Sequence, residues 1–165
     1  MNKIKNVLFI CMGNTARSPA AEYLAKGLKK RYKDELKDIV FDSAGFFNAF
    51  SYMQPESYDY LKDKGINSSD FVPKIINKNL LENQDLILTM EYSHSIDIKN
   101  NYPNVKDIDR KTFTLKEFAG ETRDLDIIDP YYTSRSVYNK VLKIIDDFVN
   151  KAVNRIIKNN KLNSN

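Results

Sequence analysis

The run Val7-Leu8-Phe9-Ile10-Cys11-Met12-Gly13-Asn14-Thr15-Ala16-Arg17-Ser18-Pro19 restricts the architecture of this chain more than any other stretch. Its leading apolar residues have the unbroken hydrophobicity of a strand covered on both faces, and Ser18-Pro19 has the form of a helix opening. Between them, Gly13 and Asn14 tolerate the tight or left-handed backbone that a short cradle needs. A loop that ends at a helix N-terminus gathers unpaired N–H groups and the positive end of a dipole, so it favours a bound oxyanion. Cys11 opens this loop and Arg17 closes it. Loop amides, a helix end and a nearby cation are the surroundings in which a cysteine reacts as its thiolate. The planar guanidinium can hold two oxygens of a phosphoryl group, which leaves the rest to the amides of Met12, Gly13, Asn14, Thr15 and Ala16. The stretch reads as a sulfur nucleophile inside a phosphate cradle. A buried core cysteine at a strand end is the alternative that Cys11 alone would suggest.

Downstream, apolar strands alternate with helical patterns, which predicts an α/β fold with a parallel sheet and helices on both faces. Strands are expected at 6–11, 39–42, 85–90 and 112–115. Helices are expected at 18–33, with Ala21, Leu24, Ala25 and Leu28 inward, at 55–64, stopped by Gly65, and at 93–101. A long closing helix over 134–158 would turn Val137, Val141, Ile144, Ile145, Phe148, Ala152, Val153 and Ile156 inward. A chain of 165 residues with 42% hydrophobic content suits one domain, expected over 1–158, followed by a polar tail at 159–165. In open parallel sheets ligands sit at the carboxyl ends of strands, and Cys11 ends the first.

A thiolate that cleaves a phosphate ester expels an oxyanion, which an acid must protonate. Asp129, in Asp129-Pro130-Tyr131-Tyr132, is the candidate, because Pro130 biases it toward an extended backbone that can hold a carboxyl at a pocket mouth. A plain Asp-Pro turn is the competing reading, and Asp124 and Asp126 are weaker rivals for the acid. Ser18 can hydrogen-bond the Cys11 sulfur or cap the helix. The aromatic loop 46–52, with Phe46 and Phe47, and Tyr131 could wall a slot for a flat ring. His94 is the single histidine, has no ligand-spaced partners, and reads as a surface residue at a helix start. No metal or other cofactor is called for, since Arg17 and the loop amides can stabilise the charge.

The Cys11-to-Pro19 run resembles the signature Cys-x-Gly-Asn-x-Cys-Arg-Ser-Pro of the low-molecular-weight protein tyrosine phosphatases. Asp42-Ser43-Ala44-Gly45 is similar to that family's segment after its second strand, Phe113-Thr114-Leu115-Lys116-Glu117-Phe118 to its fourth-strand region, and Asp129-Pro130-Tyr131-Tyr132 to its acid loop. The resemblance runs over about residues 4 to 150, nearly the whole chain. It implies a single three-layer domain with a four-stranded parallel sheet of order 2-1-3-4. It also implies hydrolysis of phosphotyrosine through a cysteinyl-phosphate, and an Asn14 that locks the loop with Ser43 as a plausible partner. A histidine that often joins this network, near Asp70 or Phe71, has no counterpart here.

Two departures bear on specificity. Thr15 resembles the protein-arginine phosphatase branch, and Ala16 stands where a second cysteine is usual. With one cysteine in the chain, a thiol-dependent arsenate reductase is disfavoured and a reducing cytoplasm is the expected compartment. A non-catalytic phosphate-binding module is the alternative from another class. The net charge of +4 comes from dispersed lysines, which suits phosphorylated protein substrates rather than nucleic acid. Apolar runs are too short for a signal peptide or a membrane span, and the expected oligomeric state is a monomer.

Overall fold

The computed structural model describes residues 2–163. Four strands, β1 Asn6–Cys11, β2 Val40–Gly45, β3 Leu86–Thr89 and β4 Thr112–Thr114, form one parallel sheet in the order β2-β1-β3-β4. The helices are α1 Arg17–Leu28, α2 Lys33–Leu36, α3 Pro55–Asp63, α4 Lys78–Glu82, α5 Tyr92–Asn101, α6 Ile108–Lys111, α7 Leu115–Phe118 and α8 Arg135–Leu162.

The side-chain alternation of β1 divides the interior in two. Val7, Phe9 and Cys11 face the larger core, built with Leu24 of α1, Leu61 of α3 and Val141, Ile145 and Val149 of α8. Leu8 and Ile10 face a smaller core with Ala44, Ile87, Ile98 and Ile108. Both faces of β1 are covered, which is why its sequence is apolar without interruption. The strand order reverses between β1 and its two neighbours, so the carboxyl end of β1 opens on a crevice.

Several elements differ from the sequence expectation. Asp42-Ser43-Ala44-Gly45 lies within β2 rather than after it, because its backbone continues the parallel ladder up to the pairing of Cys11 with Gly45. The first helix ends at Leu28, and α2, α4, α6 and α7 are short turns with no readable period. In α8 the buried stripe includes Tyr138, Leu142 and Val149, while Val137 and Ile144 are exposed. The apolar stripe is rotated from the expected one because the helix lies across both α1 and α3. That helix also continues to Leu162. Asn160, expected in a polar tail, accepts from the Ile4 amide at 2.8 Å and donates to the Ile4 carbonyl at 2.7 Å, so it acts as a strand partner to the chain entering β1. Residues 164–165 of that expected tail lie outside the described residues.

Candidate active site

The loop from Cys11 to Arg17 follows β1 directly and enters α1 without a side-chain cap at Ala16. Its tight course is set by close approaches. A Cβ on Gly13 would meet the Ala49 Cβ at 2.7 Å, and one on Gly45 would meet the Asn14 nitrogen at 2.7 Å and the Met12 carbonyl at 2.8 Å. Asn14 takes the left-handed conformation, with φ of 50°.

Asn14 is held from three directions. Its amide nitrogen donates to Ser18 Oγ at 2.9 Å and Ser43 Oγ at 2.8 Å, and its oxygen accepts from the Lys74 amide at 2.8 Å. Ser43 donates to Glu22 Oε2 at 2.5 Å, and Glu22 pairs with Lys26 at 2.5 Å. Burial pushes the Glu22 carboxyl above its ordinary range, against the pull of Lys26 and Ser43. Glu22 thus closes a network in which the sequence lacks the expected histidine. Its signal in the sequence was a charged residue beside Ala21 on the inward face of α1.

Ser18 is the second residue of α1 rather than its cap, and its Oγ lies 3.0 Å from Cys11 Sγ. Arg17 is almost wholly buried at 2% exposure, so each of its donors needs a partner. Nη1 donates to Glu91 Oε1 at 2.5 Å and to the Ile127 carbonyl at 2.6 Å, and Nη2 lies 3.3 Å from Asp129 Oδ2. Asp129 is half exposed, and its other oxygen accepts from the Tyr131 amide at 3.0 Å. Glu91 was not anticipated. It stands just past the end of β3, at the same sheet edge as Cys11, which is the position that could have revealed it.

These groups line one cavity of about 340 Å³. Cys11, Met12, Gly13, Thr15, Ala16 and Arg17 form its base, and Phe47, Ala49, Phe50, Gln54, Asp129 and Tyr131 its walls. The base brings together the expected cradle. Asn14 and Ser18 are outside the lining, behind the loop, where Asn14 acts through its side-chain bonds.

Phe46 is a correction: it packs in the smaller core against His94, with ring centroids 5.4 Å apart, because β2 ends there and sends its next side chain under the sheet. Phe50 takes the wall position instead, edge-on to Tyr131 at 5.8 Å. His94 is a second correction. It is fully buried rather than at the surface, its ring nitrogens have no hydrogen-bond partner, and Nε2 is 3.8 Å from Glu91 Oε1. Asp126 accepts from the Tyr92 amide and Asp124 pairs with Lys116, so neither rival acid lines the cavity. A larger depression of about 630 Å³ at the opposite strand ends is lined by Lys3, Glu82, Asp85, Asp107, Arg110 and others of both signs, with no thiol or hydroxyl side chain in its lining.

Residues 6–162 match the family model described as low molecular weight phosphotyrosine protein phosphatase. The low molecular weight protein-tyrosine-phosphatase Ptp of Acinetobacter johnsonii is 32% identical over 89% of this chain and 94% of its own. The protein-arginine-phosphatase of Bacillus subtilis is 28% identical over 94% of this chain and 99% of its own. Among solved structures, the low molecular weight protein tyrosine phosphatase from T. tengcongensis superposes with a TM-score of 0.80 at 34% identity, covering 91% of this chain and 98% of that one.

Proposed function

Since this chain belongs to the low molecular weight phosphotyrosine protein phosphatase family, we propose that Cys11, Arg17 and Asp129 hydrolyse phosphotyrosine in proteins. As a member it is a cysteine-dependent phosphatase; the roles of individual residues are our reading. The observation that carries them is that Cys11, Arg17 and Asp129 line a single cavity, with a hydroxyl 3.0 Å from the sulfur and the carboxylate 3.3 Å from the guanidinium.

In the first step the Cys11 thiolate attacks phosphorus, an S–P bond forms and the P–O bond to the tyrosine breaks. Asp129 in its acid form gives its proton to the departing phenolic oxygen. Arg17 and the amides from Met12 to Arg17 hold the phosphoryl oxygens as charge spreads over them. Ser18 donates to the sulfur and stabilises it as thiolate before attack and again as leaving group. In the second step Asp129, now a carboxylate, takes a proton from water, the water oxygen bonds to phosphorus and the S–P bond breaks. Phosphate and the free thiolate result. Phe47, Phe50 and Tyr131 offer apolar walls for the phenyl ring, which supports tyrosine over a shorter phosphoserine side chain.

A second reading, a protein-arginine phosphatase, is favoured by the hydroxyl of Thr15 in the cavity base and by the Bacillus subtilis relative. All of these groups come from one chain, which suits a monomer, and a nucleophilic lone thiol suits a reducing cytoplasm. No helix among the described residues is long and apolar enough to cross a membrane. The test is turnover of a phosphotyrosine peptide. Cys11→Ser should abolish it, and Asp129→Asn should lower kcat on a poor leaving group by about 10²–10⁴. Unchanged rates in either variant reject the assigned role.

A further inference from the structure

Both protons of Arg17 Nη1 are taken, one by Glu91 Oε1 at 2.5 Å and one by the Ile127 carbonyl at 2.6 Å. These acceptors come from different segments, the first just past β3 and the second just ahead of Asp129. A guanidinium is planar, so two fixed acceptors on one nitrogen set the plane of the whole group. In that plane Nη2 stands 3.3 Å from Asp129 Oδ2, on the cavity lining.

Two bonds keep the segments together on either side of Glu91. The Ile127 amide donates to the Met90 carbonyl at 2.8 Å, and the Tyr92 amide donates to Asp126 Oδ1 at 2.6 Å. Met90 is itself tied to β1, its amide donating to the Ile10 carbonyl at 2.9 Å. The Asp126 carboxylate therefore does what a backbone carbonyl would do in one more rung of sheet. It meets the first amide of α5, where the helix has no acceptor of its own for the N–H and the dipole favours an anion. Asp126 is outside the cavity lining, so its influence on the site passes through this bond.

We propose that Asp126 is a positioning residue for Arg17: by bridging to the Tyr92 amide it holds Glu91 and the Ile127 carbonyl at the separation that sets the guanidinium plane for a phosphoryl group. This rests on the reading above, in which Arg17 grips the phosphate. A charge-assisted bond of this kind fixes both partners more tightly than a neutral one, and a small shift of either acceptor tilts the fork away from the oxygens it must meet.

The bond can be cut from either end. Asp126→Ala removes the acceptor. Tyr92→Pro removes the donor, and the backbone already allows it: proline suits a first helical position, and Glu91 before it is extended, with φ of −134° and ψ of 151°. The measurement is the Kd of inorganic phosphate by calorimetry, alongside KM and kcat on a phosphotyrosine peptide. Each variant should weaken phosphate about 5- to 10-fold and raise KM by a similar factor, with kcat within about 3-fold of wild type. The double variant should lie within about 2-fold of the weaker single one, because both changes cut one bond. Asp126→Asn, which keeps an acceptor oxygen without the charge, should bind phosphate within about 3-fold of wild type.

A purely structural bond would lower the unfolding midpoint and leave phosphate affinity alone, so an unchanged Kd in Asp126→Ala or Tyr92→Pro overturns the inference and leaves the phosphatase reading intact. A fall in kcat confined to poor leaving groups, with Kd unchanged, assigns the bond to Asp129 and overturns it too. Asp126→Asn as weak as Asp126→Ala assigns the effect to charge, with the same consequence. A wild type that binds phosphate without hydrolysing the peptide overturns the phosphatase reading and leaves the inference to be decided by the affinities, and one that binds no phosphate overturns both.

Discussion

Two buried polar clusters support the phosphate loop from opposite sides of β1, and they are built on different terms. On the β2 side, Asn14, Ser18, Ser43 and Glu22 form a network in which each side chain has a partner within 3.0 Å. On the β3 side, Arg17 is bound by Glu91, the Ile127 carbonyl and Asp129, but neither ring nitrogen of His94, behind Glu91, has a hydrogen-bond partner. A fully matched network has one low-energy arrangement and holds backbone shape. An under-matched one leaves its members free to exchange partners. The first cluster holds the amides of the cradle, and the second holds the guanidinium, which the proposed mechanism has turn from carboxylates to a phosphoryl group.

The largest effect should come from the matched side. Asn14→Ala removes the central member, leaves Ser43 and the Lys74 amide short of a partner, and puts alanine, which tolerates the left-handed backbone less readily than asparagine, at a φ of 50°. A loss of about 3 kcal/mol in urea unfolding is expected, with a fall in kcat. Stability within about 0.5 kcal/mol of wild type would show that the network is dispensable.

Glu91→Gln tests the other side. Arg17 stays buried with a weaker neutral partner, so kcat/KM should drop by about 10- to 100-fold, with a smaller loss of stability than in Asn14→Ala. Equal or greater loss of stability would mean that Glu91 is as structural as Asn14.

Two subtler variants separate the clusters by pH. Burial raises Glu22 in the folded state, so its contribution is present at low pH and is lost as pH rises through its folded value. Glu22→Gln should therefore flatten the pH dependence of stability above about pH 4.5, with a net change of about 1 kcal/mol at pH 7. His94 has the opposite sign. Burial lowers it, partly opposed by Glu91, Asp97 and Asp126 and assisted by Arg17, so the folded protein is fully stable above about pH 6.5 and loses stability as pH falls through the lowered value. His94→Phe, which suits the neighbouring Phe46 ring, should change stability at pH 7 by less than about 1 kcal/mol and make the acid-side loss shallower. An unaltered acid limb would mean that the histidine stays neutral throughout that range.

Part of this contrast was readable before any coordinates. Cys11, Arg17, Asn14, Ser18 and Ser43 are each of ordinary type, but four of them sit within one short run between a buried strand and a helix opening, which is the pattern of an anion cradle. The grouping of Cys11, Asn14, Arg17 and Ser18 at the end of β1 follows from local geometry, whereas Ser43 arrives on β2. The pocket walls were harder. Phe46 and Phe50 look alike in the aromatic loop, and nothing in that stretch says which ring turns into the smaller core and which toward Tyr131. The bond from Tyr92 to Asp126 was invisible for the same reason: each is an ordinary residue whose meaning comes from a partner 34 positions away.

Local order along the chain was thus enough to specify an α/β sheet and to place the cysteine proposed as nucleophile at the carboxyl end of its first strand and the proposed acid on a later loop. The reason is that strand burial, helix opening and loop conformation depend on neighbours in sequence. Glu22, Glu91, His94 and the bond from Tyr92 to Asp126 were assigned by packing, because the worth of a charge or a hydrogen-bond donor depends on what faces it after folding, and those facing groups arrive on other segments of the chain.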